Sequence, residues 1–407
     1  MHIPKLATLA YNVHRGVFCV NNTRDVSPVR LIREARGLSQ VEVAKAAGLS
    51  RAAYQNIEVG KTVPRASTMV NIARALGVSM DDLLAPVAMP SQVRFRSKRR
   101  MRSRDSVLLN TAKWLRDYCD LESIVGERIP WALSTLSDPV GSCRSGRDRA
   151  IRAAEEARAV LGLDVDEPIS DICGLLESAG LKICLQQVMS DDFFGLSVGP
   201  TDGGPAVVVN VWDGISVERW IFTAAHELGH LVLHLGSYDL SCIEEDSREE
   251  TEANVFASRF LMPDQPFRYE WNDTRGLSFV ERVMKLKRIY RVSYKVVLYR
   301  LSEDERYGSG VWRRFYYEYR ELYGAGLGGK AEPDGLGAGE FLASDPEPLR
   351  SREPLNLSEA DFVPDRQARL VRQALERELM TLSRAAEIMR LDIRSMRARA
   401  SSWVGEP

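Results

Sequence analysis

The sequence has few histidines, no paired cysteines and no long apolar run. Its 407 residues include five histidines, and its six cysteines, at 19, 119, 143, 173, 184 and 242, form no C-x-x-C pair. Such cysteine usage is typical of reduced thiols in a cytoplasm. No apolar stretch is long enough to span a bilayer, and the opening residues lack the pattern of a secretory signal. We therefore expect a cytoplasmic protein without a membrane segment.

The length and charge of the chain limit the possible number of domains and kinds of partner. A chain of 407 residues exceeds one ordinary domain, so two or three domains are expected. The formal net charge of −1 does not by itself indicate a nucleic-acid partner. The charge is unevenly distributed, because VRFRSKRRMRSRD has seven basic residues between Arg94 and Arg104 and no acid before Asp105. This basic stretch is either a solvated surface or an additional contact to DNA phosphates.

Composition and periodicity predict a mainly α, multidomain chain. The predicted segments are an N-terminal tail (1–25), a helix-turn-helix domain (26–86), a basic linker with a connecting helix (87–147), a second domain (148–323), a Gly-rich linker (324–346) and a helical C-terminal segment (347–407). In the second domain, helices at 148–161, 168–179, 216–235 and 248–261 accompany the strand-like runs LKICLQQV and PAVVVNVW. That domain is therefore predicted to be α+β with a small sheet.

Residues 38–60, LSQVEVAKAAGLSRAAYQNIEVG, have the local signals of two short helices joined by a tight turn. Ser39 and Glu42 predict a capping box at the start of the first helix. Gly48 suits the turn, Ser50 can cap the second helix, and Gly60 ends it. Further helices are expected at 29–36, 66–76 and 80–84. The pattern predicts a five-helix unit built around a helix-turn-helix.

This segment resembles the Cro/phage-repressor (XRE) helix-turn-helix family over 28–86. The matching residues are Leu38, Ser39, Gln40, Ala44, Gly48, Leu49, Ser50, Ile57, Glu58, Gly60, Lys61, Pro64, Leu76, Gly77 and Val78. The resemblance implies that Arg51, Ala52 and Asn56 enter the major groove of double-stranded DNA, whereas Gln40 and Lys61 meet the phosphate backbone. It also implies a homodimer on paired half-sites. A bundle that only dimerises is the alternative hypothesis.

The phrase FTAAHELGHLVLH contains the pattern H-E-x-x-H. On a helix, His226 and His230 lie one turn apart, so both imidazoles can face one metal ion. Glu227 is placed to act as a general base rather than as a ligand. A zinc site needs a third protein ligand, and our candidate is Glu252, on a following helix in RETEANVFASRFLMP.

The other potential ligands near the motif are assigned lesser roles. Glu249 and Glu250 are less well phased, and we expect them to be solvated acids that complement the helix dipole. His234 lies two turns from His226 along a straight helix, so we expect a core histidine or one that supports a ligand. Cys242 is a weaker alternative ligand.

Residues 148 to about 305 resemble the ImmA/IrrE family of metallopeptidases. The resemblance depends on RWIFTAAHELGHLVLH, on the E-x-x-E-A-N-x-F-A-x-x-F-L-M-P block and on KLKRIYRVSYKVVLYRL. It implies a gluzincin-like peptidase fold in which His226, His230 and Glu252 hold Zn²⁺ and Glu227 is the base. Which of Tyr290, Tyr294 and Tyr299 polarises the substrate carbonyl stays open.

These resemblances predict a transcriptional regulator whose zinc endopeptidase cleaves an XRE-type repressor, or itself within 87–105, in stress or mobile-element control. The alternative is a non-catalytic transcription factor that uses the peptidase-like domain as a ligand or metal sensor. Membership of a toxin–antitoxin or phage-immunity pair is a genomic question.

The C-terminal phrase TLSRAAEIMRLDIRSMRARA, residues 381–400, echoes LSQVEVAKAAGLSRAA. It is either a degenerate second helix-turn-helix or a helical tail for docking or dimerisation. Because no glycine marks the turn and the capping signals are weak, we expect a tail.

Overall fold

The computed structural model describes residues 27–78, 80, 83, 89–95, 104–136, 146–238, 246–329, 331–333 and 357–404. The chain divides between Pro86 and Val87 into two compact units. The described part of the first unit is helical, and the second unit combines helices with a four-stranded sheet. The prediction of a mainly α, multidomain chain is confirmed. Among the described helices, none combines the length and apolar character that crossing a membrane requires.

Four helices of the first unit follow the predicted signals. They are α1 (Pro28–Ala35), α2 (Gln40–Ala46), α3 (Arg51–Glu58) and α4 (Ala66–Leu76). The predicted capping box forms, since Ser39 and Glu42 cap each other's backbone amides. Gly48 has a φ of +70° in the turn before α3, a conformation that favours glycine. Of the fifth helix expected at 80–84, only Met80 and Leu83 are described, and both are helical.

The sheet of the second unit has the strand order β1-β3-β4-β2. Its strands are β1 (Val93–Arg94), β2 (Lys182–Gln186), β3 (Gly195–Val198) and β4 (Ala206–Asn210). β2 runs parallel to β4, whereas β3 is antiparallel to both β1 and β4. The two predicted strand-like runs form β2 and β4. β1 and β3 were not predicted, and β1 lies in the segment that we assigned to a linker.

Nine helices in the described part of the second unit precede its C-terminal segment. They are α5 (Arg104–Val125), α6 (Gly146–Val160), α7 (Ile172–Ser178), α8 (Val217–Leu233), α9 (Ser247–Leu261), α10 (Asp264–Asp273), α11 (Phe279–Tyr290), α12 (Tyr294–Ser302) and α13 (Gly310–Tyr323). α8 packs on β3 and β4 on one side and on α9 on the other. A Cβ at Gly229 of α8 would lie 3.0 Å from the Phe256 ring. This glycine therefore permits the close approach of α8 and α9.

The C-terminal segment folds as α14 (Arg366–Glu376), α15 (Leu382–Ile388) and α16 (Ile393–Val404). These helices share a hydrophobic core with α5 and the sheet. The side chain of Thr381 caps α15, and Asp392 accepts hydrogen bonds from the first amides of α16. The expectation of weak capping signals is therefore wrong.

Buried charges fasten α14 to α5. The Arg366 guanidinium donates to Glu122 at 2.6 Å, to the Tyr118 hydroxyl at 3.3 Å and to the Glu127 carbonyl at 2.8 Å. Lys182 lies 3.2 Å from the second oxygen of Glu122. Since Arg366 is 1% exposed, this ion pair is shielded from solvent.

We predict that Arg366→Ala lowers the free energy of unfolding of the second unit by about 3 kcal/mol or more, because it leaves Glu122 buried with one cation fewer. The matched control is Arg372→Ala, which removes an exposed ion pair with Glu376 on the same helix and should change stability by less than about 1 kcal/mol. Urea denaturation measures both. Equal effects of the two variants would contradict this role.

Candidate metal centre

Three potential metal ligands converge where α8 meets α9. The Nε2 atoms of His226 and His230 are 3.0 Å apart. The two carboxylate oxygens of Glu250 in α9 approach one ring each, with Oε2 3.3 Å from His226 Nε2 and Oε1 3.3 Å from His230 Nε2. His226, His230 and Glu250 form the one group of three or more metal-binding side chains found in the described part of the chain.

The arrangement fits a tetrahedral cation. Ligand bonds of about 2.0–2.1 Å place tetrahedral ligand atoms about 3.3 Å apart. The two nitrogens here are 3.0 Å apart, and each lies 3.3 Å from the Glu250 oxygen that it faces. The second nitrogen of each ring has its own partner. His226 Nδ1 lies 3.0 Å from the Asn254 amide oxygen, and His230 Nδ1 lies 3.0 Å from His234 Nδ1. Such contacts orient a histidine so that its Nε2 lone pair points at the metal position.

Glu252, our predicted third ligand, does not join the histidine pair. Its carboxylate lies 3.1 Å from His234 Nε2 and 3.5 Å from the Arg149 guanidinium. The structure instead brings Glu250 to the pair, so the expectation that Glu250 is a solvated acid is wrong. Residues two positions apart on a helix point in directions that differ by about 200°. For this reason Glu250 and Glu252 cannot face the same two imidazoles.

A signal for Glu250 was present in the sequence. Ala253, Asn254 and Ala257 follow it at intervals of three, four and seven residues, which places all four on one face of α9. Ala253 and Ala257 are fully buried, and Asn254 contacts His226. Small residues of this spacing mark the face that meets α8.

His234 supports the centre by contacting the ring nitrogen of His230 that faces away from Glu250. It is buried just after the last residue of α8 and connects His230 to Glu252. This placement agrees with the expectation that His234 is not a ligand. Burial lowers the pKa of His230 and of His234, which keeps His230 in the neutral form that metal binding needs.

The surroundings of Glu250, unlike those of His230 and His234, favour its charged form. Although burial opposes its ionisation, hydrogen bonds with His226 and His230 hold the pKa of Glu250 far below its usual range. The guanidinium of Arg94 in β1 also donates to Glu250 at 2.9 Å and pairs with Glu249. The first arginine of the basic stretch is therefore buried at this centre rather than solvated, whereas residues 96–103 of that stretch lie outside the described residues.

Glu227 is buried on α8 beside the candidate metal ligands. Its carboxylate accepts a hydrogen bond of 2.7 Å from the Ser197 hydroxyl of β3, which in turn accepts one of 2.7 Å from Tyr238. Burial raises the pKa of Glu227, and the charge of His226 and the bond from Ser197 partly oppose this shift. Sequence patterns indicated neither Ser197 nor Tyr238, because the tertiary fold alone brings Ser197 to Glu227 and Tyr238 to Ser197.

A cleft of about 400 Å³ opens over His226 and Glu227. Its lining residues are Asp192, Phe194, Gly195, Arg219, Phe222, Thr223, His226, Glu227, Ser247, Glu250, Thr251 and Asn254. A Cβ at Gly195 would lie 2.6 Å from the Thr223 side chain, so this glycine lets β3 approach α8 beside the cleft. Tyr290, Tyr294 and Tyr299, the proposed carbonyl-polarising residues, do not line it.

The predicted DNA-contacting residues lie on the first unit. Arg51, Ala52 and Asn56 are exposed on α3, and Lys61 is exposed after it. Gln40 is half-buried, and its amide donates to the buried carboxylate of Glu58. The first four residues are therefore exposed, and their contact with DNA stays a prediction, whereas the side-chain amide of Gln40 is occupied within the unit.

Comparison with known families agrees with this description. Residues 29–83 match the family described as helix-turn-helix, and residues 177–302 match the family described as IrrE N-terminal-like domain. The chain thus joins a DNA-binding domain to a domain of metallopeptidase type. It is a fusion of an XRE-type helix-turn-helix with an ImmA/IrrE-like domain, as the sequence resemblances predicted. No curated protein matches this chain.

We predict that Glu250→Gln weakens Zn²⁺ binding by more than about 100-fold, because a ligand is lost. Glu252→Gln should weaken it by about 10- to 100-fold, the usual effect of a residue that supports a ligand. Competition with a chromogenic chelator measures both affinities in otherwise identical proteins. A stronger loss from Glu252→Gln would return Glu252 to the ligand set.

Proposed function

We propose that this protein is a DNA-binding transcriptional regulator whose second unit is a zinc-dependent endopeptidase. Its substrate is a repressor-type protein, or the chain itself, and cleavage switches gene expression in response to stress or to a mobile element. The observation that supports this most is the convergence of His226, His230 and Glu250, with Glu227 beside them in an open cleft. The exposed face of α3 supports binding of operator DNA.

In this proposal His226, His230 and Glu250 hold the zinc ion. When bound, zinc supplies Lewis-acid polarisation of a peptide carbonyl and makes water more acidic. Glu227 takes a proton from the attacking water molecule and can return it to the leaving amine. Burial suits Glu227 to this role, because a raised pKa brings a carboxylate closer to the operating pH of a general base.

The walls of the cleft suit a polypeptide. Phe194 and Phe222 offer apolar surface, and the Arg219 guanidinium stacks 4.2 Å above the centre of the Phe194 ring. Arg219 has no acidic partner in the part of the chain that the structure describes. The cleft therefore favours a substrate with an apolar and an acidic side chain close to the cleaved bond.

A metal sensor without catalytic activity is the second candidate function. The contact that favours it is the buried ion pair between Arg94 and Glu250. In this candidate function, metal binding at Glu250 changes its ion pair with Arg94, which lies in β1 near the start of the second unit.

Glu227→Gln separates the two functions. We expect this variant to keep its zinc and to lose cleavage by about 100-fold or more, the usual contribution of a general base. The assay incubates the purified chain with zinc and with XRE-type repressors from neighbouring genes, followed by gel electrophoresis and mass spectrometry. Chelator-sensitive fragments with the parent protein alone support the peptidase. Normal cleavage by Glu227→Gln contradicts it.

The hydrogen bond from Ser197 predicts a shift in pH dependence. This bond lowers the pKa of Glu227, so Ser197→Ala should raise that pKa further. Since the base acts only when ionised, activity should then begin to fall at a higher pH on the acidic side. The measurement is kcat/KM against pH on the identified cleavage sequence, with the surface variant Ser178→Ala as the control. An unchanged acidic limb would show that Ser197 does not tune Glu227.

A further inference from the structure

We propose that α14, α15 and α16 form a second helix-turn-helix that binds double-stranded DNA through the exposed face of α16. This site is separate from the metal centre and from the helix-turn-helix of the first unit. It lies within the second unit, in the segment that the sequence favoured as a docking tail.

The first helix of each pair begins in the same way. Thr381 accepts a hydrogen bond of 3.2 Å from the amide of Arg384, as Ser39 does from Glu42. α15 then runs for seven residues, which is also the length of α2. Thr381 therefore corresponds to Ser39. The same spacing along the chain relates the other equivalent positions of the two helix-turn-helix pairs.

The turns are equivalent at the same spacing. Arg390 has a φ of +53°, and Gly48 has one of +70° at the corresponding position. The amide of Leu391 donates to Ala386 at 2.9 Å, and that of Leu49 donates to Ala44 at 2.8 Å. An arginine in this conformation costs roughly 1–2 kcal/mol, so the fold imposes the turn although the sequence offers no glycine.

The second helices begin alike as well. Asp392 caps α16 by accepting from the amides of Arg394 and Ser395 at 2.9 and 3.0 Å. Ser50 caps α3 in the same position by accepting from Ala53 at 3.1 Å. Both pairs thus have a capped first helix, a left-handed turn residue and a capped second helix.

The buried residues of the C-terminal segment also correspond to those of the first helix-turn-helix. Ala385 and Ala386 are buried where α2 has Val43 and Ala44, and Met396 is buried where α3 has Tyr54. α14 covers this interior with three buried residues, Leu370, Val371 and Ala374. The side of α16 away from Met396 remains exposed.

That exposed side is basic. α16 contains Arg394, Arg397 and Arg399 and no acidic residue. All three arginines are exposed, and none of them forms an ion pair within the part of the chain that the structure describes. Residues 381–404, which include α15 and α16, contain five arginines and two acidic residues, a net charge of +3 in a chain whose total is −1. Such a patch is complementary to a polyanion.

The geometry favours duplex DNA among polyanions. Arg394 and Arg397 occupy the positions of Ala52 and Gln55, on the face that α3 exposes. A helix in this position of a helix-turn-helix fits the major groove, where arginine can pair with guanine. Ile393 is 45% exposed at the start of α16 and can contact a thymine methyl group.

The test uses the full-length chain and a labelled duplex of random sequence, spanning about three helical turns. Fluorescence anisotropy measures the affinity over a series of salt concentrations. We expect R394A/R397A to weaken binding and to reduce the slope of log affinity against log salt by up to about two units. R394K/R397K keeps the charges and should keep the slope.

The matched control is R313A/R320A, which removes two exposed arginines of α13 and the same total charge. It should leave the slope unchanged. R51A/N56A weakens the helix-turn-helix of the first unit, and the effect of R394A/R397A should persist in that background. The result then does not depend on the first DNA-binding face or on the peptidase.

Two outcomes would overturn the proposal. One is an equal salt slope for R394A/R397A and R313A/R320A, with thermal unfolding confirming that both variants are folded. The other is a loss that R394A/R397A shows on single-stranded RNA but not on the duplex.

Discussion

The close packing of α8 against α9 is the constraint on which the candidate metal centre depends. Gly229 of α8 has no side chain, and the Phe256 ring of α9 occupies the adjoining space. Ala253 is fully buried at the same contact. A side chain at Gly229 would force the Phe256 side chain or the helix backbone to shift. Because metal–ligand bonds are only about 2 Å long, even a small displacement of Glu250 would disturb the centre.

Burial at this contact also determines the protonation of the centre. It removes water from His230 and favours the neutral form of that ring, whereas hydrogen bonds with His226 and His230 hold the pKa of Glu250 far below its usual range. Glu227 is more deeply buried than Glu250 and receives a neutral donor, Ser197, and burial raises its pKa. Two carboxylates a few ångströms from the same imidazoles thus have opposite shifts, which suits one as ligand and the other as base.

The chain uses one local design twice. In α2–α3 the left-handed turn residue is a glycine, and the helix starts have serine caps. In α15–α16 the turn residue is Arg390 and the caps are Thr381 and Asp392. Packing of α14 on α5, with Arg366 paired to Glu122 in the interior, holds the second pair in place. A sequence pattern that searches for glycine at the turn detects the first pair and passes over the second.

Local sequence patterns were sufficient to predict the features that depend on neighbouring residues. The capping box at Ser39, the spacing of His226 and His230, and the apolar runs of β2 and β4 are local, and the structure retains them. Which acid faces the histidines could be seen only in the folded chain, because the face of α9 that meets α8 depends on how the two helices cross. The same holds for the strand of Val93 and Arg94, since two residues have no periodicity and need β3 as a partner.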